Sequence, residues 1–206
     1  MRTLGTRGGT LFAVLGAALV LTACGADPAD PGDIMDITES DATGSEVIGQ
    51  GTVIEKPGST VQICLGPITM IYPPDCGGPE IVGWDWDEVD GEETANGTTW
   101  GTYAVQGTWD GEQLTLTEPP IMLALYDPMV PDDPYTDPEN PGEASEAELA
   151  EIQAELADEP DILGAYPQNG YLFVEVVHDD GSLQEEFNER YGEDVVVVRP
   201  QLKPVE

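Results

Sequence analysis

The chain has 206 residues, with 41 acidic side chains against six basic ones and a single histidine, for a formal charge of −35. So negative a field repels nucleic acid and anionic lipid headgroups, which excludes a nucleic-acid role. Three cysteines and one histidine also leave a two-cysteine metal site without partners, because His178 is far from the cysteines in sequence.

Residues 1–23 open with Arg2 and Arg7 and continue into the apolar run Leu11–Leu21, too short for a stable bilayer span. This is the layout of a secretory signal peptide. Leu21-Thr22-Ala23-Cys24 follows and resembles a bacterial lipobox, in which the thiol receives diacylglycerol before cleavage. The resemblance implies that Cys24 carries the lipid, with palmitate-type chains. Two or three such chains satisfy the requirement for stable anchoring. The expected location is the extracytoplasmic face of the cell membrane, and the expected membrane contact is this N-terminal lipid. Cleavage leaves four basic residues against all 41 acids, a formal charge of −37. Residues 24–45, rich in Asp, Pro and Gly, are expected to form a disordered tether. Extended, about twenty residues reach roughly 60 Å.

Residues 46–126 read as a β domain. Val47-Ile48 and Val53-Ile54 are strand-like, and Val61, Ile63 and Leu65 alternate with Gln62 and Cys64. A Lys-Pro-Gly-Ser turn joins the two runs. Cys64 and Cys76 are an even pair in an exported chain, so a disulfide is expected. Closing so short a loop contributes about 3 kcal/mol in the chain-entropy description. Glu80–Trp86 is a third run, and Glu88–Gly97 reads as an acidic loop. Thr99–Thr108 and Gln113–Thr117 are strands joined through Asp110-Gly111, a hairpin signal. Ile121–Leu125 reads as a short edge strand or a cover. The stretch Tyr103–Thr117 resembles the strand-turn-strand of oligonucleotide/oligosaccharide-binding (OB) barrels, a likeness of fold that carries no function.

Residues 127–143 are rich in Pro and Asp and read as an extended, semi-rigid linker. Residues 144–206 read as a small α/β domain. Ser145 with Glu148 is a capping box, and Leu149, Ile152 and Leu156 share a helix face. Ile162–Tyr166 and Tyr171–Val177 are strands around an Asn-Gly turn. Ser182 with Glu185 reads as a second capping box, and Leu183, Phe187 and Tyr191 share a face before the Gly192 cap. Val195–Val198 is a buried strand, reached by a parallel crossover. The expected fold class is α+β: a small disulfide-pinned antiparallel β-barrel, OB-like, followed by an α-β-β-α-β domain.

The lipobox, the stretch CLGPITMIYPPDCGGPEIVGWDW, WGTYAVQGTWDG and the tail DDGSLQEEFNERYGEDVVVVRPQLKPV together resemble exported lipoproteins of high-GC Gram-positive bacteria. The resemblance implies export and these domain boundaries, and it brings no activity.

Several residues are candidates for function. Trp84, Trp86, Trp100 and Tyr103 offer a stacking surface for a ligand, although a small β domain also needs such rings for its core. Asp85, Asp87, Asp90 and Glu92 come nearest to a calcium loop, but Val89 displaces the third acid from the required spacing. His178 ends a strand beside Asp179 and Asp180, with no Ser-His-Asp context. No cofactor is implied. The expectation is a non-enzymatic binding module at the cell envelope with a protein or glycan partner. A cation-dependent envelope factor is the alternative, and a hydrolase comes third.

Overall fold

The computed structural model describes residues 44–127 and 133–205. Cys24, the expected lipobox and the expected tether up to residue 43 lie outside the described residues. The first half contributes β1 (Ser45–Glu55), β2 (Gln62–Cys64), β3 (Glu80–Val82), β4 (Glu93–Ala95), β5 (Thr98–Trp109), β6 (Gln113–Leu116) and β7 (Ile121–Met122). Five of these close a barrel in the order β1-β2-β3-β6-β5, with β5 returning to β1. That closure is an antiparallel ladder running the whole length of β1, from Ser45 opposite Trp109 to Glu55 opposite Thr99. β3 and β6 are parallel, so the barrel is mixed where an antiparallel one was expected. Parity requires this, because five strands cannot alternate direction all the way around a ring. The strand order is that of OB-type barrels.

Alternation places Val47, Val53, Ile63, Leu65, Ile81, Tyr103, Val105 and Leu114 inside, all buried. β1 is one continuous strand where two runs were read, with Gly49 and Gly51 lying within it. β4 falls in what reads as an acidic loop. It pairs with β5 across a two-residue turn, Asn96-Gly97, whose φ values of 54° and 80° are those of a hairpin turn. On the outside of the barrel, Ile54, Cys64 and Trp100 form a separate buried cluster, with Cys76 and Ala95 packed against it. The Cys64–Cys76 disulfide is formed, with its Cα atoms 5.9 Å apart.

The second half contributes α1 (Glu146–Leu156), β8 (Ile162–Gln168), β9 (Tyr171–Val176), α2 (Ser182–Tyr191), β10 (Val196–Pro200) and β11 (Lys203–Pro204). β8 and β9 are an antiparallel hairpin, and β10 runs parallel to β9 after the α2 crossover. Leu149, Ile152 and Leu156 of α1 and Phe187 of α2 pack on Leu172, Val174, Val176, Val196 and Val198, so both helices cover one face of the sheet. The Ser145 side chain accepts from the Glu148 N–H, capping α1. α2 is capped differently from the expected box. Gly181 is its N-cap, and Ser182 is its first helical residue. The carboxylates of Asp179 and Asp180 accept from the N–H groups of Leu183 and Ser182 instead. Two acids just upstream outcompete a hydroxyl for the free amides at a helix start, where negative charge is also favoured.

The opposite face of this sheet carries Tyr171, Phe173 and Val197, with Tyr135 packed against them. Asp133–Gly142 therefore lies along the sheet and does not extend as an open spacer. Tyr135 meets Tyr171 edge-on at 5.1 Å, and the Arg199 guanidinium lies 4.7 Å from the Phe173 ring centre while pairing with Asp133. The Asn169 Nδ2 donates to the carbonyls of Tyr135, Asp137 and Asn140 at 3.0, 2.8 and 3.1 Å. An uncovered aromatic sheet face is the driving force, and composition alone does not reveal it.

After β10 the chain returns to the barrel. The N–H groups of Gln201 and Leu202 donate to the carbonyls of Val176 and Val177, Leu202 is fully buried among the barrel residues, and β11 pairs with Val47 and Ile48 of β1.

Candidate functional site

The Cys64–Cys76 disulfide closes an eleven-residue loop over the outer cluster. Its stem is held in three ways besides the sulfurs. Thr69 N–H donates to the Asp75 carbonyl at 2.9 Å, forming a one-pair bridge. The Lys56 ammonium reaches over from the β1–β2 turn and donates to the Asp75 carboxylate at 2.5 Å and to the Cys76 carbonyl at 2.7 Å. The Tyr72 ring stands edge-on to Trp100, with centroids 5.4 Å apart.

The rest of the loop is apolar and turned outward. Met70 is 99% exposed, Tyr72 70%, Ile71 60% and Ile68 38%. With Pro74 they frame a shallow groove of about 390 Å³ whose lining is completed by Thr69, Trp100 and Glu93. Glu93 is opposite Trp100 in the β4–β5 ladder, which fixes a carboxylate at the groove's edge. Clustered exposed apolar side chains on a soluble body mark an interaction surface, whereas isolated ones need no explanation. Here the cluster is held open by a covalent staple, a lysine bracket and a ring contact.

The residues singled out in the sequence fall in different places. Trp84, Trp86 and Tyr103 form an aromatic cluster against the barrel core, with ring centroids 5.0 to 6.4 Å apart. The Trp86 indole N–H donates to Glu55 at 2.8 Å, and the Tyr103 hydroxyl donates to the Asp90 carbonyl at 3.1 Å. Burial, then the charges of Glu92 and Asp90, push the Tyr103 phenol above its ordinary range. Trp84 and Trp86 are not on one strand as expected, since β3 ends at Val82 and a short 3-10 turn covers Trp86–Glu88. Trp100 is buried under the loop on the outer face, so the four rings do not share one open surface.

Of the four acids considered for calcium, Asp85 turns its carboxylate onto the Asp87 N–H at 2.9 Å, capping that turn. Among the described residues, no group of three or more His, Cys, Asp or Glu side chains is placed to hold a metal ion. His178 lines a second cleft, about 500 Å³, between the barrel and the second sheet, together with Trp109, Glu112 and Asp161. The titratable side chains lining that cleft are Glu112, Asp161 and His178, and no hydroxyl, thiol or amine side chain lines it.

The apolar tip Ile68–Pro74 escaped the sequence reading. The signal was present: ITMIYPP is a non-alternating apolar run inside a loop whose ends are tied together. An eleven-residue loop cannot build a core of its own, so part of such a run must face out.

The chain is thus a closed five-stranded mixed barrel with a three-stranded α/β unit, carrying a stapled apolar loop. No protein-family model, curated protein or solved structure significantly matches it.

Proposed function

We propose that this is a lipid-anchored protein of the extracytoplasmic membrane face that acts by binding a partner and not by catalysis, with the disulfide-stapled loop Ile68–Pro74 as its binding surface. The carrying observation is the loop itself: four large apolar side chains exposed by 38 to 99% on a chain of formal charge −35. Leaving such area in water costs on the order of 25 cal/mol per Å². The loop is braced so that these side chains stay out. The lipobox Leu21–Cys24 supports the anchor, and the paired cysteines fit an oxidising, extracytoplasmic compartment.

Two measurements test the reading. Mass spectrometry of the membrane-extracted protein is expected to find an acylated Cys24, and Cys24→Ser is expected to release the protein from the membrane fraction. After mild detergent extraction, the wild type is expected to elute in an assembly that Ile71→Glu dissolves. A wild-type protein that lacks acylation, or that elutes alone and identically to Ile71→Glu, overturns the reading.

A further inference from the structure

Resting on that reading of the loop, we infer that its partner is a protein presenting an apolar pocket rimmed by Lys and Arg side chains. Three occupants compete for an exposed apolar tip: a bilayer, a second copy of this chain, and another protein.

Charge separates them. The basic residues of the described chain are Lys56, Arg190, Arg199 and Lys203, and the first three are paired with Asp75, Glu155 and Asp133. Lys56 is the cation nearest the tip, and its charge is met by Asp75 within the loop stem. Glu93 stands at the groove's edge, and Glu92 beside it is also exposed. The tip is therefore an apolar knob whose acidic collar is one carboxylate, Glu93, at its edge, on a chain of formal charge −35. Loops that insert into anionic bilayers set cations around the apolar residues, and this collar carries the opposite sign. Two copies meeting tip to tip would bring two such collars together within a Debye length, about 8 Å at physiological salt. Only a surface with a cationic rim matches the knob in both chemistry and charge. Pre-organisation fits the same role, because a loop already fixed by its staple loses little entropy on docking.

The experiment uses the intact lipidated protein in its own cells, with a photo-crosslinking residue in place of Met70 and, as a control, in place of Glu112. Glu112 is exposed in the β5–β6 turn, at the end of β5 opposite Trp100. The expected result is a discrete adduct with a different protein from position 70 and none from the control. Capture alone does not suffice. The captured protein, once purified, is expected to bind the lipidated protein with an affinity that falls about tenfold on raising salt from ~0.05 to ~0.5 M, as screening of a charged rim demands. A similar loss is expected for Glu93→Lys, and a larger one for Ile71→Asp. Adducts confined to lipid, or to a second copy of this chain, overturn the inference while leaving the loop a binding surface. Binding that is insensitive to salt and to Glu93→Lys overturns the cationic rim. No specific adduct from position 70 overturns both the inference and the reading beneath it.

Discussion

The contact between Gly49 and Leu202 allows a sharp test of how the two halves are joined. Gly49 is in the middle of β1, with its absent side chain facing the barrel interior. A Cβ there would lie 2.6 Å from Leu202 Cδ2, while its next neighbours, the Gln201 carbonyl and Leu65 Cδ2, would be at 3.5 and 3.8 Å. Leu202 is 0% exposed, so its methyl has no free space into which to swing. Gly49→Ala is therefore expected to cost about 1–3 kcal/mol through overpacking. Leu202→Ala is expected to cost about 2–5 kcal/mol through lost burial and a residual cavity. In the double variant the clash is gone and the remaining contacts are ordinary. Gly49→Ala in that background is expected to be neutral or to stabilise by up to about 1 kcal/mol, because alanine narrows the unfolded ensemble. Urea unfolding of all four proteins, followed by tryptophan fluorescence and far-UV circular dichroism, gives the cycle. Additivity within about 0.5 kcal/mol would mean that Leu202 does not occupy the space beside Gly49, and would refute the packing argument.

Three further outcomes are expected. Cys64→Ser/Cys76→Ser should lower unfolding free energy by about 3 kcal/mol and speed hydrogen exchange in residues 66–75 selectively, measured by mass spectrometry. Arg199→Ala removes the guanidinium from the Phe173 and Tyr135 rings and from Asp133, so limited proteolysis should cut within residues 133–142 at least several-fold faster, while Arg199→Lys should rescue only in part. The hydrogen bond from Thr117, opposed next by burial and helped by weaker ones from Gln106 and Thr108, holds the Glu46 carboxyl below the ordinary glutamate range. A depressed carboxyl contributes stability above its unfolded pKa and loses it as pH falls through the folded one. Thr117→Val should thus raise the Glu46 pKa in an NMR titration and shrink the drop in stability on acidification.

Alternation and turn chemistry made the β5–β6 hairpin, the β8–β9 hairpin and both helices legible in the sequence, because each is specified by neighbours a few residues apart. The disulfide was legible for a similar reason: two cysteines remain once Cys24 is set aside as the expected lipid site. Three things were not. β4 has the acidic composition of a loop, and only its long partner β5 makes Glu93–Ala95 a strand. Leu202 and β11 depend on a notch in β1 at the far end of the chain, which no local pattern records. The site was hidden by its own residue types. Tryptophans attract attention as ligand platforms, yet Trp84 and Trp86 are drawn into the barrel with Tyr103, and Trp100 is buried beneath the loop. Meanwhile Met70 and Ile71, apolar residues in a loop of eleven, have no interior within reach.

The return of Leu202 to the barrel sets an order of events. A chain synthesised from its N-terminus delivers β1 early, and its long ladder with β5 can zip as soon as β5 emerges. The hole opposite Gly49 stays unfilled until Leu202 has emerged. During that interval the barrel is a ring with a missing stone, and the edge of β1 at Val47 and Ile48 is open to any passing strand. The arrival of Leu202 and β11 ends both exposures at once, so the barrel is completed only after the three-stranded unit has been made.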